Sequence, residues 1–443
     1  MTIQLSDHFT YTKLIRFVMP SVVMMIFTSI YGVIDGFIIS NVIGKTPFAA
    51  LNLIMPLYIG LGTIGFMVGT GGAALVSKTL GEGNKEKANQ LFTMFVCLAA
   101  IGGICFTVLG ELVIRNIAVV MGATGQLLEE SLVYGRILLL FLPAFILQCM
   151  FQSLFPTAEK PKLGSLLVIG TGILQTVLAL TFVVVLKWGL AGAALALGCS
   201  QAIAGFVPVI YFIRKNSSLL RLTKPTFNGK DILKVCTNGS SEMVANLSGS
   251  LVGTLYNIQL LRLIGENGVA AYGVVMYINF IFISLLYGYS IASAPIIGYH
   301  YGAKNLPELK NLFSKSLKIM CVAGAAMALL AIIFAEPLSF VFVGYDRELL
   351  ALSVYVFRIY AISFLMLGVN LFGSAFFTAL NNGLVSAFIA FVRTFVFQIL
   401  AVMLFPVVFG TNGIWFSVVI AEILALVVTI GCFVKNKKRY HYV

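Results

Sequence analysis

The feature that most limits what this chain can become is a set of long apolar runs without a single charge. Phe17 to Ile34, Ile137 to Phe155 and Leu163 to Leu186 are three of them. About 20 such residues cross the hydrocarbon core of a bilayer as a helix. In lipid every backbone N–H and C=O must be satisfied internally, which leaves helix bundles or closed barrels. Barrel strands alternate apolar and polar residues over segments of about ten, and these runs do not alternate. Only 10% of the residues are charged and 60% are hydrophobic, whereas a soluble domain carries about 25% charge. The expected fold is an all-α integral membrane protein.

Turn and charge signals cut the chain into twelve spans, which puts both termini on one side. Seven of the 29 Lys and Arg fall in loops on the other side: Lys45, Arg115, Arg136, Lys187, Arg262, Arg347 and Arg358. Arg393 lies within a span, so 21 remain on the side of the termini. Loops rich in Lys and Arg stay in the cytoplasm. The expectation is a multi-pass protein of the inner (cytoplasmic) membrane with both termini cytoplasmic. The net charge of +13 follows from this loop pattern and gives no reason to expect a nucleic-acid partner. The first apolar run is too long for a cleavable signal peptide, and no small-residue cleavage site follows it. The seven cysteines sit in or beside apolar runs with no CxxC or metal spacing, and read as small buried hydrophobes. No cofactor is expected. His8, His300 and His441 are the only histidines, none mid-span, and no Ser/His/Asp, HExxH or P-loop pattern occurs, so an enzyme is not expected.

The sequence repeats itself at an offset of 221 residues. "IGKTPFAALNLIM" (43–55) meets "IGENGVAAYGVVM" (264–276), and "GEGNKEKANQLF" (81–92) meets "GAKNLPELKNLF" (302–313). Across 43–92 the identities are Ile43, Gly44, Ala49, Ala50, Met55, Ala73, Gly81, Asn84, Leu91 and Phe92. One offset held this long marks a duplication. Six spans per copy give both halves the same orientation, related by a pseudo-two-fold axis along the membrane normal. The halves are read as 1–213 and 235–443, joined by a basic cytoplasmic linker at 214–234. The arrangement suggests two six-helix bundles that rock about a central cavity.

With the first span "MPSVVMMIFTSIYGVIDGFIISNVIG", the loop "GEGN" at 81–84, the "AEKP" turn at 158–161 and "SAPIIGYHYGAKN" at 293–305, the chain resembles the multidrug and toxic compound extrusion (MATE) family along essentially its whole length. The resemblance implies export of amphipathic, often cationic, organic compounds by H⁺ or Na⁺ antiport. The expected partners are such small molecules and the lipid bilayer, and the expected functional unit is a monomer. A lipid or lipid-linked-sugar flippase of the same superfamily is the alternative. Flippases commonly have fourteen spans and a more basic cavity, so twelve spans and an acid in the first weigh against it.

Candidate coupling residues are the few polar groups inside spans. Asp35 lies in span 1, and a charge in hydrocarbon costs about 2.5–3.5 kcal/mol on insertion scales and usually faces the bundle interior. It is either an ion-binding carboxylate or a tolerated interfacial acid. The family resemblance favours the former, since Asp35 aligns with the acid the family carries there. Family members with a second acid in span 5 have an Asn and an Asp four residues apart, where this chain has Gln175 and Ala179. Gln175 and Gln201 offer neutral oxygens, or serve only as helix–helix hydrogen bonds. Glu242 in span 7 either protonates or sits near a helix N-terminus, where the macrodipole favours it. Arg393 and Glu422 come to matching depths of about 13 and 14 Å from the inner face at 1.5 Å per residue, and are expected to form a structural ion pair. Pro20 permits a kink in span 1 and is a candidate hinge. Met24, Met25, Phe27, Tyr31, Gln152, Tyr256, Asn257, Tyr277, Asn279 and Tyr287 are candidate cavity walls, offering adaptable apolar and cation–π surfaces.

Overall fold

The computed structural model describes residues 3–443; at 33, 35–37, 40, 41 and 45 it describes the backbone alone. The first half comprises α1 (Tyr11–Ile38), α2 (Lys45–Gly81), α3 (Lys85–Val120), α4 (Gly125–Thr157), α5 (Pro161–Ala179) and α6 (Gly189–Ile213). The second comprises α7 (Gly229–Leu263), α8 (Glu266–Gly302), α9 (Leu306–Ile333), a short α10 (Ala335–Val343), α11 (Arg347–Ile362), α12 (Phe364–Ala379), α13 (Gly383–Phe391) and α14 (Gln398–Tyr440). Among the described residues, nine segments are individually long and apolar enough to cross a membrane. The pair α11 and α12, bent by 48°, makes a tenth. The segment Gly383–Tyr440 has 58 residues, about 87 Å as a helix, against a core of about 30 Å. It is broken at Gly410, which takes φ 60° and ψ −146°, and so supplies two crossings. The twelfth is α7, whose polar interior makes it less apolar than its neighbours.

Local chemistry explains why the repeat's identical residues are identical. Gly44 and Gly265 both take positive φ, 116° and 87°, at the turns that start α2 and α8, where a side chain would be strained. Asn84 caps α3 by accepting from the Lys87 N–H, and its counterpart Asn305 caps α9 by accepting from the Glu308 N–H; such caps satisfy a donor the helix leaves free. Leu91 and Phe92, with Leu312 and Phe313, are buried.

The halves meet along α1 and α2 of the first and α7 and α8 of the second, and they meet backbone to backbone. A Cβ on Gly81 would collide with the carbonyl of Tyr299, and one on Gly302 with the carbonyl of Lys78. The two glycines are 221 residues apart, and so are the two carbonyls, as a two-fold axis between α2 and α8 requires. Gly71 against Val235 and Gly239 against Met67 make the same kind of contact between α2 and α7. Asn381 adds a bond from Nδ2 to the Ala74 carbonyl at 3.0 Å. All these contacts lie towards the side of the termini. Further along, Gly60 and Leu247 meet at an ordinary 3.8 Å. The backbone-to-backbone contacts are therefore concentrated on the terminal side, and the packing is looser towards the other.

The N-terminal segment fastens that closed side. The Leu5 N–H donates to Glu159 between α4 and α5 at 2.6 Å, and the Phe9 N–H donates to Glu308 on α9 at 2.9 Å. His8 Nδ1 lies 2.6 Å from the second Glu308 oxygen, and Lys315 Nζ donates to the Phe9 carbonyl at 2.6 Å. Leu5 and Phe9 are fully buried. Two details depart from the expected boundaries. The last residues of the expected 214–234 linker are already helical, because Asn228 caps α7 from Gly229 onward. The other is the short α10 between α9 and α11, which adds a helix to the twelve expected spans.

Replacing Gly302 by Val overpacks the seam. Such substitutions cost about 1–3 kcal/mol, and this one acts between the halves rather than within either. Gly302→Val should lose efflux and melt earlier, by intrinsic fluorescence in detergent, while Gly102→Val, placed where no atom lies within 4 Å, should retain both.

Candidate functional site

The seam encloses a narrow cavity lined from both halves. Thr70 and Ala73 come from α2, Ser153 from α4, Glu242 from α7, Tyr287, Ser290, Ile291 and Ala294 from α8, and Leu371, Ala375 and Thr378 from α12. About 30 Å³ of it admits the centre of a water molecule. Its one carboxyl is Glu242, whose Oε2 accepts from the Tyr287 hydroxyl. Thirteen residues separate Glu242 from the start of α7. The helix dipole acts within the first turn, so the expectation that it favours Glu242 is corrected: the extra turns from Gly229 carry the N-terminus away.

Arg393 is held by α14. Its Nε donates to the two Glu422 oxygens at 2.9 and 3.1 Å, and the side chains are 13% and 3% exposed. Asn370 on α12 completes the group, donating from Nδ2 to Glu422 Oε2 at 2.8 Å and to the Glu422 carbonyl at 3.0 Å. A carboxylate so paired is neutralised and hydrogen-bonded, which a buried charge needs. Arg393 lies in a π-helical turn, Val392–Phe397; such turns are widened insertions that often mark functional positions.

Beside this pair a second chamber opens within the C-terminal half, lined by Gly249, Val252, Gly253, Tyr256, Tyr272, Met276, Tyr360, Thr394, Gln398 and Val418, with about 150 Å³ of room. Tyr256 stacks on Tyr272 at 5.0 Å and 11°. Asn279 donates to the Tyr360 hydroxyl at 3.2 Å. The wall is aromatic, thioether and neutral polar. Such a wall offers flat aromatic faces and few polar atoms.

The structure gathers some of the expected residues and scatters others. Tyr256 and Asn279 join the second chamber or its wall, and Tyr287 joins Glu242. Asn257 is exposed on α7, and Tyr277, 41% exposed, stacks on Phe342 of α10 at 6.0 Å, outside both cavities. In the N-terminal half Met24, Met25, Gln152 and Gln175 are buried, while Phe27 is exposed. Tyr31 packs over Gly172 of α5, where a Cβ would collide with its ring. Gln201 is engaged, its Oε1 accepting from Tyr58 at 2.5 Å, and that ring stacks on Phe145 at 4.7 Å. Asp35 lies outside the residues whose side chains are described. Pro20 lies inside α1. Residues the sequence reading missed include Asn370, Tyr272, Met276, Tyr360, Thr394 and Gln398. Asn370 carried a usable signal, being an amide within an apolar run that must find a partner in lipid.

Residues 20–203 and 243–404 match the MatE family model, more than half of the chain. The chain belongs to the MatE family. It is a membrane transporter, not an enzyme. It is similar to the multidrug export protein MepA of Staphylococcus haemolyticus (strain JCSC1435), with 23% identity over 426 residues, 93% of this chain and 90% of that one. It also resembles a crystal structure of a MATE protein in complex with MaL6, at a TM-score of 0.93 and 21% identity, covering 98% of both chains. An outward-facing multidrug resistance MATE family transporter of the MOP superfamily superposes with a TM-score of 0.92 at 22% identity, again over 98% of both chains.

Removing one member of a buried ion pair strands the other and costs about 3–5 kcal/mol, while replacing both with apolar residues is often neutral. Glu422→Leu and Arg393→Met should therefore each unfold this MatE protein at markedly lower temperature. The double variant should recover most of the loss, measured by thermal melting and folded yield.

Proposed function

We propose that this MatE protein exports amphipathic organic cations across the cytoplasmic membrane, as a monomer, in exchange for H⁺ or Na⁺. Its termini lie in the cytoplasm, on the side that holds 21 of the 29 basic residues, in keeping with the positive-inside rule. A seam packed more tightly on the terminal side than on the other is in keeping with a state open to the outside. The single observation that carries the reading is Glu242, a carboxyl in a cavity whose walls come from both halves. A group placed there feels any rocking of one half against the other. Substrate binds from the cytoplasm or inner leaflet while Asp35 is charged. Ion binding from outside neutralises the carboxyl and weakens its hold, and the return stroke carries the ion inward. Pro20 is the candidate flexing point of α1.

The energetics constrain the stoichiometry. A tenfold gradient costs about 1.4 kcal/mol, and one charge crossing 100 mV yields about 2.3 kcal/mol. One H⁺ exchanged for one monovalent cation moves no net charge, so such a cycle draws only on the pH difference. Use of the membrane potential needs a second ion, for which Glu242 is the candidate beside Asp35. The paired state of Arg393 speaks against the flippase alternative. With Glu422 neutralising it, the second chamber offers no free cation to an anionic headgroup.

The test is uptake of a fluorescent cation into everted vesicles under separately imposed pH and Na⁺ gradients. One gradient should drive transport, Asp35→Asn should reduce it to background, and Glu242→Gln should remove its response to membrane potential. No transport under either gradient would contradict the reading.

A further inference from the structure

The terminal end of the crevice between α1 and α5 holds two adjoining hollows that share Arg16, Pro20, Lys162 and Leu166. The outer one has about 800 Å³ of room. Its apolar face is a stripe of Ile15, Met19 and Val23 on α1, spaced four apart and so on one side of the helix, opposite Leu166 on α5, which is 69% exposed. The stripe spans about 12 Å at 1.5 Å per residue, starting level with the ends of the helices and running towards the membrane interior. Arg16 and Lys162 are exposed, and among the described residues neither has a hydrogen bond or ion pair. The inner hollow adds Lys160 and one acid, Glu159. That acid already accepts the Leu5 N–H, and burial pushes its carboxyl upward despite that bond. The groove thus joins two free cations at interface depth to an apolar channel below them.

We propose that this groove binds an anionic glycerophospholipid from the leaflet on the terminal side, with its phosphate between Arg16 and Lys162 and an acyl chain along Ile15, Met19 and Val23. Charge complementarity selects the occupant. Basic pockets between spans on the cytoplasmic side suit anionic headgroups, and an arginine guanidinium matches phosphate oxygens in a fork. The same two cations repel an amphipathic cation, so the groove is separate from the export path. Beside Pro20, where α1 lacks a backbone donor, a bound lipid braces α1 against α5. The site needs only that this end of the bundle meets a membrane surface, so its test stands apart from what is transported.

The experiment uses the full-length protein, delipidated in neutral detergent and titrated with dioleoyl phosphatidylglycerol, dioleoyl phosphatidylcholine or inorganic phosphate. Retained lipid is read by native mass spectrometry and stability by thermal melting. Phosphatidylglycerol should bind saturably and raise the melting temperature, and the other two should not. The double variant Arg16→Gln/Lys162→Gln should bind it about thirtyfold more weakly, roughly fivefold per basic charge. Lys437→Gln/Lys438→Gln, with the same charge change on the C-terminal tail, should bind as the parent does. Leu166→Trp, which fills the groove from an exposed position and keeps both charges, should also weaken binding. Equal binding by the parent and the Arg16/Lys162 variant, equal loss in the tail variant, unchanged binding in Leu166→Trp, or equal stabilisation by inorganic phosphate would overturn the proposal.

Discussion

The close approach of α2 to α7 and α8 is the contact on which the rest of the molecule depends. Lipid tails are as apolar as leucine, so no hydrophobic force drives two bundles together in a membrane. Van der Waals contact between small residues and hydrogen bonds must do it. Gly71, Gly81, Gly239 and Gly302 supply that contact by letting backbone meet backbone. Because Gly81 and Gly302 occupy the same place in the two copies of the repeat, the contact is symmetric, as expected if an ancestral half packed against a copy of itself. The N-terminal segment breaks the symmetry. Held by Glu159 in one half and Glu308 in the other, it fastens a single side.

Two described carboxyls in the spans, Glu422 and Glu242, are held in different ways. Arg393, Glu422 and Asn370 satisfy one another within the C-terminal half, and a neutralised group of this kind stiffens the packing of α12, α13 and α14. Glu242 differs. Its partner is a tyrosine that can only share a proton with it, and its surroundings come from both halves. In the proposed cycle this makes it a group whose environment changes as the halves move.

Much of the architecture was legible in the sequence because lipid leaves so few choices. The apolar runs required helices, and the offset of 221 residues located the symmetry. The residues the repeat preserved, Gly44, Gly81 and Asn84, are the ones whose backbone conformation, close contact or cap admits no ready substitute. The Arg393–Glu422 arrangement followed from depth alone, since two opposite charges at one level in hydrocarbon have little else to bind. Other features were hidden. The first turns of α7 read as linker because Lys230, Asp231 and Lys234 are polar, which displaced Glu242 towards a helix end it does not occupy. The tyrosine chamber was only partly anticipated. Tyr256 and Asn279 were included, but Tyr277 and Asn257 lie on other faces of the same helices, and a π-helical turn such as Val392–Phe397 shifts the face of everything beyond it. Composition reports that a helix is buried, but not which of its sides meets a cavity.

The proposed cycle requires the halves to move as rigid bodies about the glycine seam. It is tested most directly by paired spin-label distances in the reconstituted transporter. One pair spans the terminal side (Lys87→Cys with Lys310→Cys) and another the opposite side (Val120→Cys with Tyr345→Cys), on a background with the native cysteines replaced. Adding the coupling ion or substrate should lengthen one distance and shorten the other together. Distances that change in the same direction, or on one side only, would contradict the account.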